Sequence, residues 1–225
     1  MTRPVPSDPP EIEAALWEGW RGQLAWDVGA NVGQSLWHLT TVFTQIHAFE
    51  PATESFTILE QAWGSDPRVT LTQAAVSDHE GTLVTAVRET SISHGELVVV
   101  ADMPEQDRHL PSYAALPWGP ERGRREVPCV TLDGLLESGR CVPDFVKVDT
   151  EGHEGQVLRG AGKLLAERRA GWLIEFHTAG NYAECKALLE AAGYEPETVR
   201  HPHYRRNMRL WSEHGWLRAK APVTT

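Results

Sequence analysis

The feature that most constrains this chain is an alternation that begins at residue 24: a short apolar run, a turn of small residues, then a helical stretch, repeated several times. Residues 24–28 read as the first strand. Gly33 opens a helix with Leu36, Leu39 and Phe43 on one stripe, 45–49 is the next strand, and a second helix carries Phe56, Leu59 and Trp63. A third strand is expected over 69–75, and after a turn at 78–81 an alternating segment over 82–88 reads as antiparallel edge material. The rhythm resumes with strands over 126–132 and 144–148, then a helix with Val157, Ala161, Leu164 and Leu165 on one face. A strand over 172–176 follows, and a last helix bears Cys185, Leu188 and Leu189 and stops at Gly193. Further strands are expected near 194–200 and 214–220. Such alternation requires right-handed crossovers between parallel strands, hence an α/β doubly wound sheet with helices on both faces.

Two stretches break the rhythm. Residues 1–10 read as a leader, with Asp8 as an N-cap before Pro9 and Glu11 as its capping-box acid. The short helix that follows runs to about Trp20, and Ile12, Leu16 and Trp20 give it an apolar stripe to pack on the main body. The second break is 101–125, where four prolines, two glycines and many charges predict an inserted loop or lid. The organisation expected is a leader and short helix over 1–22 and one domain over 23–225.

Composition narrows the function. At 225 residues and 41% hydrophobic, the chain can bury a core without disulfides or a structural metal. Cys129, Cys141 and Cys185 form no C-x-x-C pair, which suits a reducing, cytoplasmic setting. A formal net charge of -10 disfavours nucleic acid and anionic membranes as partners. The leader has no apolar export segment, and no apolar run has the length of a membrane span.

Doubly wound sheets bind ligands at the carboxyl ends of their strands, which directs attention to 27–33, Glu50, 75–78, 149–154 and 175–181. The first strand runs into Asp27-Val28-Gly29-Ala30-Asn31-Val32-Gly33. Alone, that suits an ordinary tight turn between strand and helix. It is not G-x-G-x-x-G, and Asp27 stands where a pyrophosphate would be repelled, which disfavours a nicotinamide cofactor. Glu50 ends the second strand, 17 residues after Gly33, where a carboxylate can accept hydrogen bonds from both hydroxyls of a ribose. Two acids around a glycine turn describe a pocket for an adenosyl ligand that carries an ammonium group.

DVGANVG at 27–33, FEP at 49–51, AAVSD at 74–78, VTLD at 130–133, DFVKVDTEGHE at 144–154 and LIEFH at 173–177 together resemble the FkbM family of S-adenosylmethionine-dependent methyltransferases. The resemblance covers about 24–192. It implies a Rossmann-like class I methyltransferase fold with a seven-stranded, mostly parallel sheet and a C-terminal antiparallel hairpin. It also implies that Asp27, Gly29, Asn31 and Gly33 hold the methionine end of S-adenosylmethionine, Glu50 and Pro51 the ribose, and Ala75, Ser77 and Asp78 the adenine edge. O-methylation of a hydroxyl on a small molecule, natural product or sugar is the implied reaction. N- or carboxyl-methylation of a small molecule or peptide, or a silent adenosyl-binding module, are the alternatives.

An alcohol that is methylated must lose a proton. Asp149 ends the fourth strand and His153 follows at the start of a helix, and either can serve as base, with Asp149 also able to orient His153, bind a metal or hold the acceptor. Glu175 and His177, two apart, share a face at a neighbouring strand end. With Asp149 they form a carboxylate and imidazole set that suits a divalent metal, although the catechol-type pattern of a further Asp and Asn is absent. A Glu175 buried among apolar neighbours needs a partner, and His177 and Lys147 are in range. Trp118 and Tyr113 in the proline-rich loop are candidates for stacking on an acceptor, and 201–206 for a basic rim or a solvated hairpin loop. Trp26, Trp63 and Trp172 read as core.

Overall fold

Residues 25–28 are buried without interruption, as expected of a central strand covered on both faces by helices. The structure, a computed structural model, describes residues 3–4, 10–90, 97–101, 118–200 and 214–222. Its main sheet contains β1 (Gly22–Val28), β2 (Phe43–Phe49), β3 (Val69–Thr72), β8 (Phe145–Val148), β9 (Gly171–Phe176), β10 (Glu197–Val199) and β11 (Gly215–Ala219). Their order is β10-β11-β9-β8-β1-β2-β3. The five central and distal strands run parallel, whereas β11 pairs antiparallel with both β9 and β10. This is the mixed α/β sheet with a C-terminal antiparallel hairpin that the sequence predicts.

The order reverses between β1 and β8, whose register pairs Val28 with Val148. Gly29 and Asp149 are therefore neighbours just beyond the sheet, at the switch point where such folds open a crevice. The core on one side gathers Trp26, Val146, Val157, Trp172 and Leu189, and on the other Leu36, Leu39, Ile46, Leu59 and Trp63. The first helix, α1 (Pro10–Trp17), is three residues shorter than expected; Ile12, Leu16 and Trp20 are nevertheless all buried in that second core beside Phe43 and Phe145. The Asp8 cap lies outside the described residues.

Five expectations are corrected. The strand over 69–75 is two strands in different sheets: β3 ends at Thr72, and β4 (Ala75–Val76) pairs with β7 (Trp118–Val130) in a second sheet of order β4-β7-β5-β6. There β5 (Gly81–Thr90) is not an edge but lies between β7 and β6 (Leu97–Ala101). The irregular stretch ends by residue 118, because 118–125 is strand. Antiparallel pairing with β5 carries this strand, with Arg124 exposed and Arg125 donating to Glu54, and the shifts of register opposite 118–121 absorb Gly119 and Pro120. The single helix carrying Val157 to Leu165 is two, α5 (Glu154–Arg159) and α6 (Gly162–Glu167). The break falls where a Cβ on Gly160 would sit 2.0 Å from the Ser77 carbonyl oxygen. Asp133, in α4 (Leu132–Glu137), then accepts the amides of Lys163 and Leu164 at 2.8 and 3.0 Å, capping α6. Finally, α2 (Leu36–Val42) begins three residues after Gly33, and Phe43 belongs to β2.

Two elements follow expectation closely. The helix α3 (Thr53–Trp63) buries Leu59 and Trp63. The helix α7 (Ala179–Ala191) is capped by Thr178, whose hydroxyl accepts from the Asn181 amide, and ends at Gly193 with φ +85°.

Candidate active site

The turn after β1 is built by backbone proximity. The Phe49 carbonyl accepts from both Gly29 and Ala30 at 3.0 Å, which folds the turn against the end of β2. Gly29 has φ +77°, and a Cβ there would lie 1.8 Å from the Asp149 carbonyl oxygen, so no other residue fits. Gly33, at φ +91°, packs on Trp63, where a Cβ would meet the indole at 2.6 Å.

A cavity opens beside this turn, lined by Gly29, Asn31, Glu50 and Pro51 on one side and by Asp149, Thr150, Glu151 and His153 on the other. Ala75 and Val76 from β4, and Leu83 and Thr85 from β5, close it toward the second sheet. Glu50 is fixed at its rim: Oε2 accepts the Asn31 amide at 2.9 Å and Oε1 the Ala52 amide at 2.8 Å. Burial pushes its carboxyl up to about 7 despite those two amides.

Under the cavity floor lies a buried charge chain. Lys147 Nζ stands 3.3 Å from Asp27 Oδ1 and 3.3 Å from Asp149 Oδ2, and it donates to the Gly29 carbonyl at 3.0 Å. Burial opposes the lysine charge, but Asp27, Asp149 and Glu175 outweigh it and hold the ammonium above its ordinary value. Burial raises Asp27 and Asp149, with Lys147 acting against it in both. The lysine thus fixes the glycine turn to the ends of β1 and β8.

His153 caps the opposite wall. Its Nε2 lies 2.8 Å from Ser77 Oγ, and Ser77 in turn donates to Asp78 Oδ1 at 3.2 Å. Burial lowers the imidazole to about 4, so it is uncharged at neutral pH.

A third group joins the ends of β8 and β9. Glu154, fully buried at the start of α5, accepts the amides of Thr150 and Gly152 at 2.9 and 3.0 Å and lies 3.2 Å from His177 Nδ1. His177 Nε2 faces Glu151, Asp149 and Glu175 at 3.4, 3.8 and 4.0 Å. Burial opposes its charge, but Glu151, Glu154 and Glu175 hold it well above the usual range. Glu175 Oε1 also meets His214 Nε2 at 2.8 Å.

Of the residues expected from the sequence, Gly29, Asn31, Glu50, Pro51, Ala75, Asp149 and His153 therefore line one cavity. Asp27 and Gly33 lie behind the turn, Ser77 lies behind His153, and Asp78 is exposed and paired with His79 and Arg159. Glu175 and His177 gather beside Asp149 but do not line the cavity. Two contributors were not singled out: Glu154 stands within the 144–154 motif, and the antiparallel register that pairs Gly215 with Phe176 brings His214 next to His177. Tyr113 and 201–206 lie outside the described residues.

Comparison with known proteins is consistent with this geometry. The methyltransferase FkbM domain family matches residues 27–209. A hexuronic acid methyltransferase, AglP, of Haloferax volcanii is 26% identical over 191 residues, which is 84% of this chain and 70% of that protein. Among solved structures, methyltransferase FkbM from Methylobacillus flagellatus superposes with a TM-score of 0.59 at 15% identity over 93% of this chain. This chain spans about half of that one, 48%. A precorrin 8W decarboxylase of Methanobacterium thermoautotrophicum has the same fold, with a TM-score of 0.50 at 14% identity, covering 87% of this chain and 78% of that one.

Proposed function

Because the chain belongs to the FkbM methyltransferase family, we propose that it uses S-adenosylmethionine to methylate a hydroxyl of a sugar-like acceptor. The cavity between the Gly29 turn and Glu50 on one wall, and Asp149 and His153 on the other, carries this reading. The residues present suit the cofactor. The glycine turn packs its backbone directly against the Asp149 carbonyl beside the cavity, and Glu50, held by two backbone amides, keeps lone pairs for a pair of ribose hydroxyls. When bound, S-adenosylmethionine supplies a methyl group activated on a sulfonium.

The acceptor side is read from charge and position. A hydroxyl oxygen gains positive charge as it is methylated, and Asp149 and Glu151 on the cavity wall favour that charge. His153, uncharged and oriented through Ser77, is the group we assign to take the proton. Asp149 then holds the acceptor. The sugar class rests on the relative that acts on hexuronic acid. Residues 23–225 are assigned to the catalytic unit, with α1 packed against it.

The test is incubation with methyl-labelled S-adenosylmethionine and a panel of neutral hexoses, hexuronic acids and amino sugars. Label stable to mild base on a sugar that carries no amino group is an ether and supports methylation of a hydroxyl. Label released by mild base is a carboxyl ester, and label on nitrogen of an amino sugar marks the N-methyl alternative; either overturns the hydroxyl assignment.

A further inference from the structure

We infer that Glu175, His177 and His214 form a binding site for one divalent transition-metal ion beside the acceptor wall. The three residues place a ligand atom each within 4.8 Å of one another. Donors that share a metal at about 2.1 Å stand about 3.0 Å apart when adjacent in an octahedron and about 4.2 Å when opposed. Glu175 Oε1 is 2.8 Å from His214 Nε2 and 4.0 Å from His177 Nε2, which fits one adjacent and one opposed or widened pair.

The surroundings of His177 are those of a ligand. A metal-binding imidazole characteristically donates its second nitrogen to a carboxylate that fixes the ring. Glu154 supplies that carboxylate at 3.2 Å from Nδ1, and it is itself locked by the Thr150 and Gly152 amides. This turns Nε2 toward Glu175, Glu151 and Asp149, three carboxylates that gather around one nitrogen. A dication there offsets their mutual repulsion. Glu175 and His214 keep partial exposure, 21% and 15%, so the ion has a route in. Two imidazoles and one carboxylate select zinc, cobalt, iron(II) or manganese over magnesium or calcium.

The use of the ion in catalysis rests on the methyl-transfer reading, whereas its binding does not. Asp149 and Glu151 line the cavity, so an ion next to them would let an acceptor that carries a carboxylate approach a wall whose like charge otherwise repels it.

The experiment strips the protein with a chelator and titrates it with Co2+ while recording visible absorption, then adds Zn2+. Wild type should take up one Co2+ per chain, with bands that Zn2+ displaces. Glu175→Gln and His214→Ala should each weaken Co2+ binding about tenfold or more while S-adenosylhomocysteine binding stays near wild type. Wild type that binds S-adenosylhomocysteine but no Co2+ overturns the metal site and leaves the methyl-transfer reading standing. Equal Co2+ affinity in wild type and in both variants overturns this ligand set. A Co2+ site with no S-adenosylhomocysteine binding upholds the metal inference and sinks the cofactor reading.

Discussion

Ser77 Oγ lies 2.8 Å from His153 Nε2, and both side chains are buried between β4 and the start of α5. The contact fixes the orientation of the imidazole through a serine that also meets Asp78 Oδ1 at 3.2 Å. His153→Ala should lower kcat by roughly 10²-fold or more with S-adenosylhomocysteine affinity near wild type. Ser77→Ala should lower kcat by a smaller factor, since the imidazole remains but is no longer oriented. Steady-state kinetics on an acceptor identified by the labelled-methyl panel separate the two, and unchanged kcat in His153→Ala would remove it from the mechanism.

Lys147 is the shared cation of Asp27 and Asp149, and its side chain is only 9% exposed. Lys147→Met leaves two buried carboxylates without their counter-charge and should cost about 3–5 kcal/mol. Urea unfolding reads this directly. A loss under 1 kcal/mol would mean that the pair contributes nothing to holding the turn.

Much of this architecture is legible in the sequence because hydrophobic periodicity and strand-end position are local properties. The run 25–28, the glycine turn and Glu50 can all be located without knowing any contact. The charge chain was only partly legible: Lys147 is visible as a partner for Glu175, but its role between Asp27 and Asp149 depends on the register of β1 against β8. His214 is 37 residues from His177 and meets it through antiparallel pairing. The passage of 69–76 from one sheet to another, and the strand at 118–125, were missed for the same reason: long-range pairing overrides local propensity. The contact of the Ser77 hydroxyl with His153, 76 residues away, was likewise not legible.

Asp66 is held far below the ordinary carboxylate range by hydrogen bonds from Arg68, which overcome burial, with Arg3 adding a further bond at 3.0 Å. A depressed carboxyl contributes stability that is complete above its unfolded value of 3.8 and is lost as pH falls through its folded one. Asp66→Asn should therefore be less stable than wild type by about 1–3 kcal/mol at pH 7, with the gap closing below pH 4. Melting temperatures of the two proteins from pH 7 down to pH 2 check it; a gap that does not narrow at all below pH 4 points to packing instead.

Glu50 titrates near neutrality because burial raises it to about 7. Its carboxylate form is the stronger acceptor for ribose hydroxyls, so S-adenosylhomocysteine should bind more tightly as pH rises from 6 to 8. Glu50→Gln should flatten that rise. A pH dependence identical in the two proteins would assign it to another group.

The most direct test of the whole account is calorimetric titration with S-adenosylhomocysteine, with NAD as a parallel ligand and Glu50→Ala as the site control. The account predicts that wild type binds S-adenosylhomocysteine and not NAD. It also predicts that Glu50→Ala loses about 1.5–3 kcal/mol, roughly 10- to 150-fold in Kd. Equal affinity in wild type and Glu50→Ala, or a preference for NAD, would contradict it.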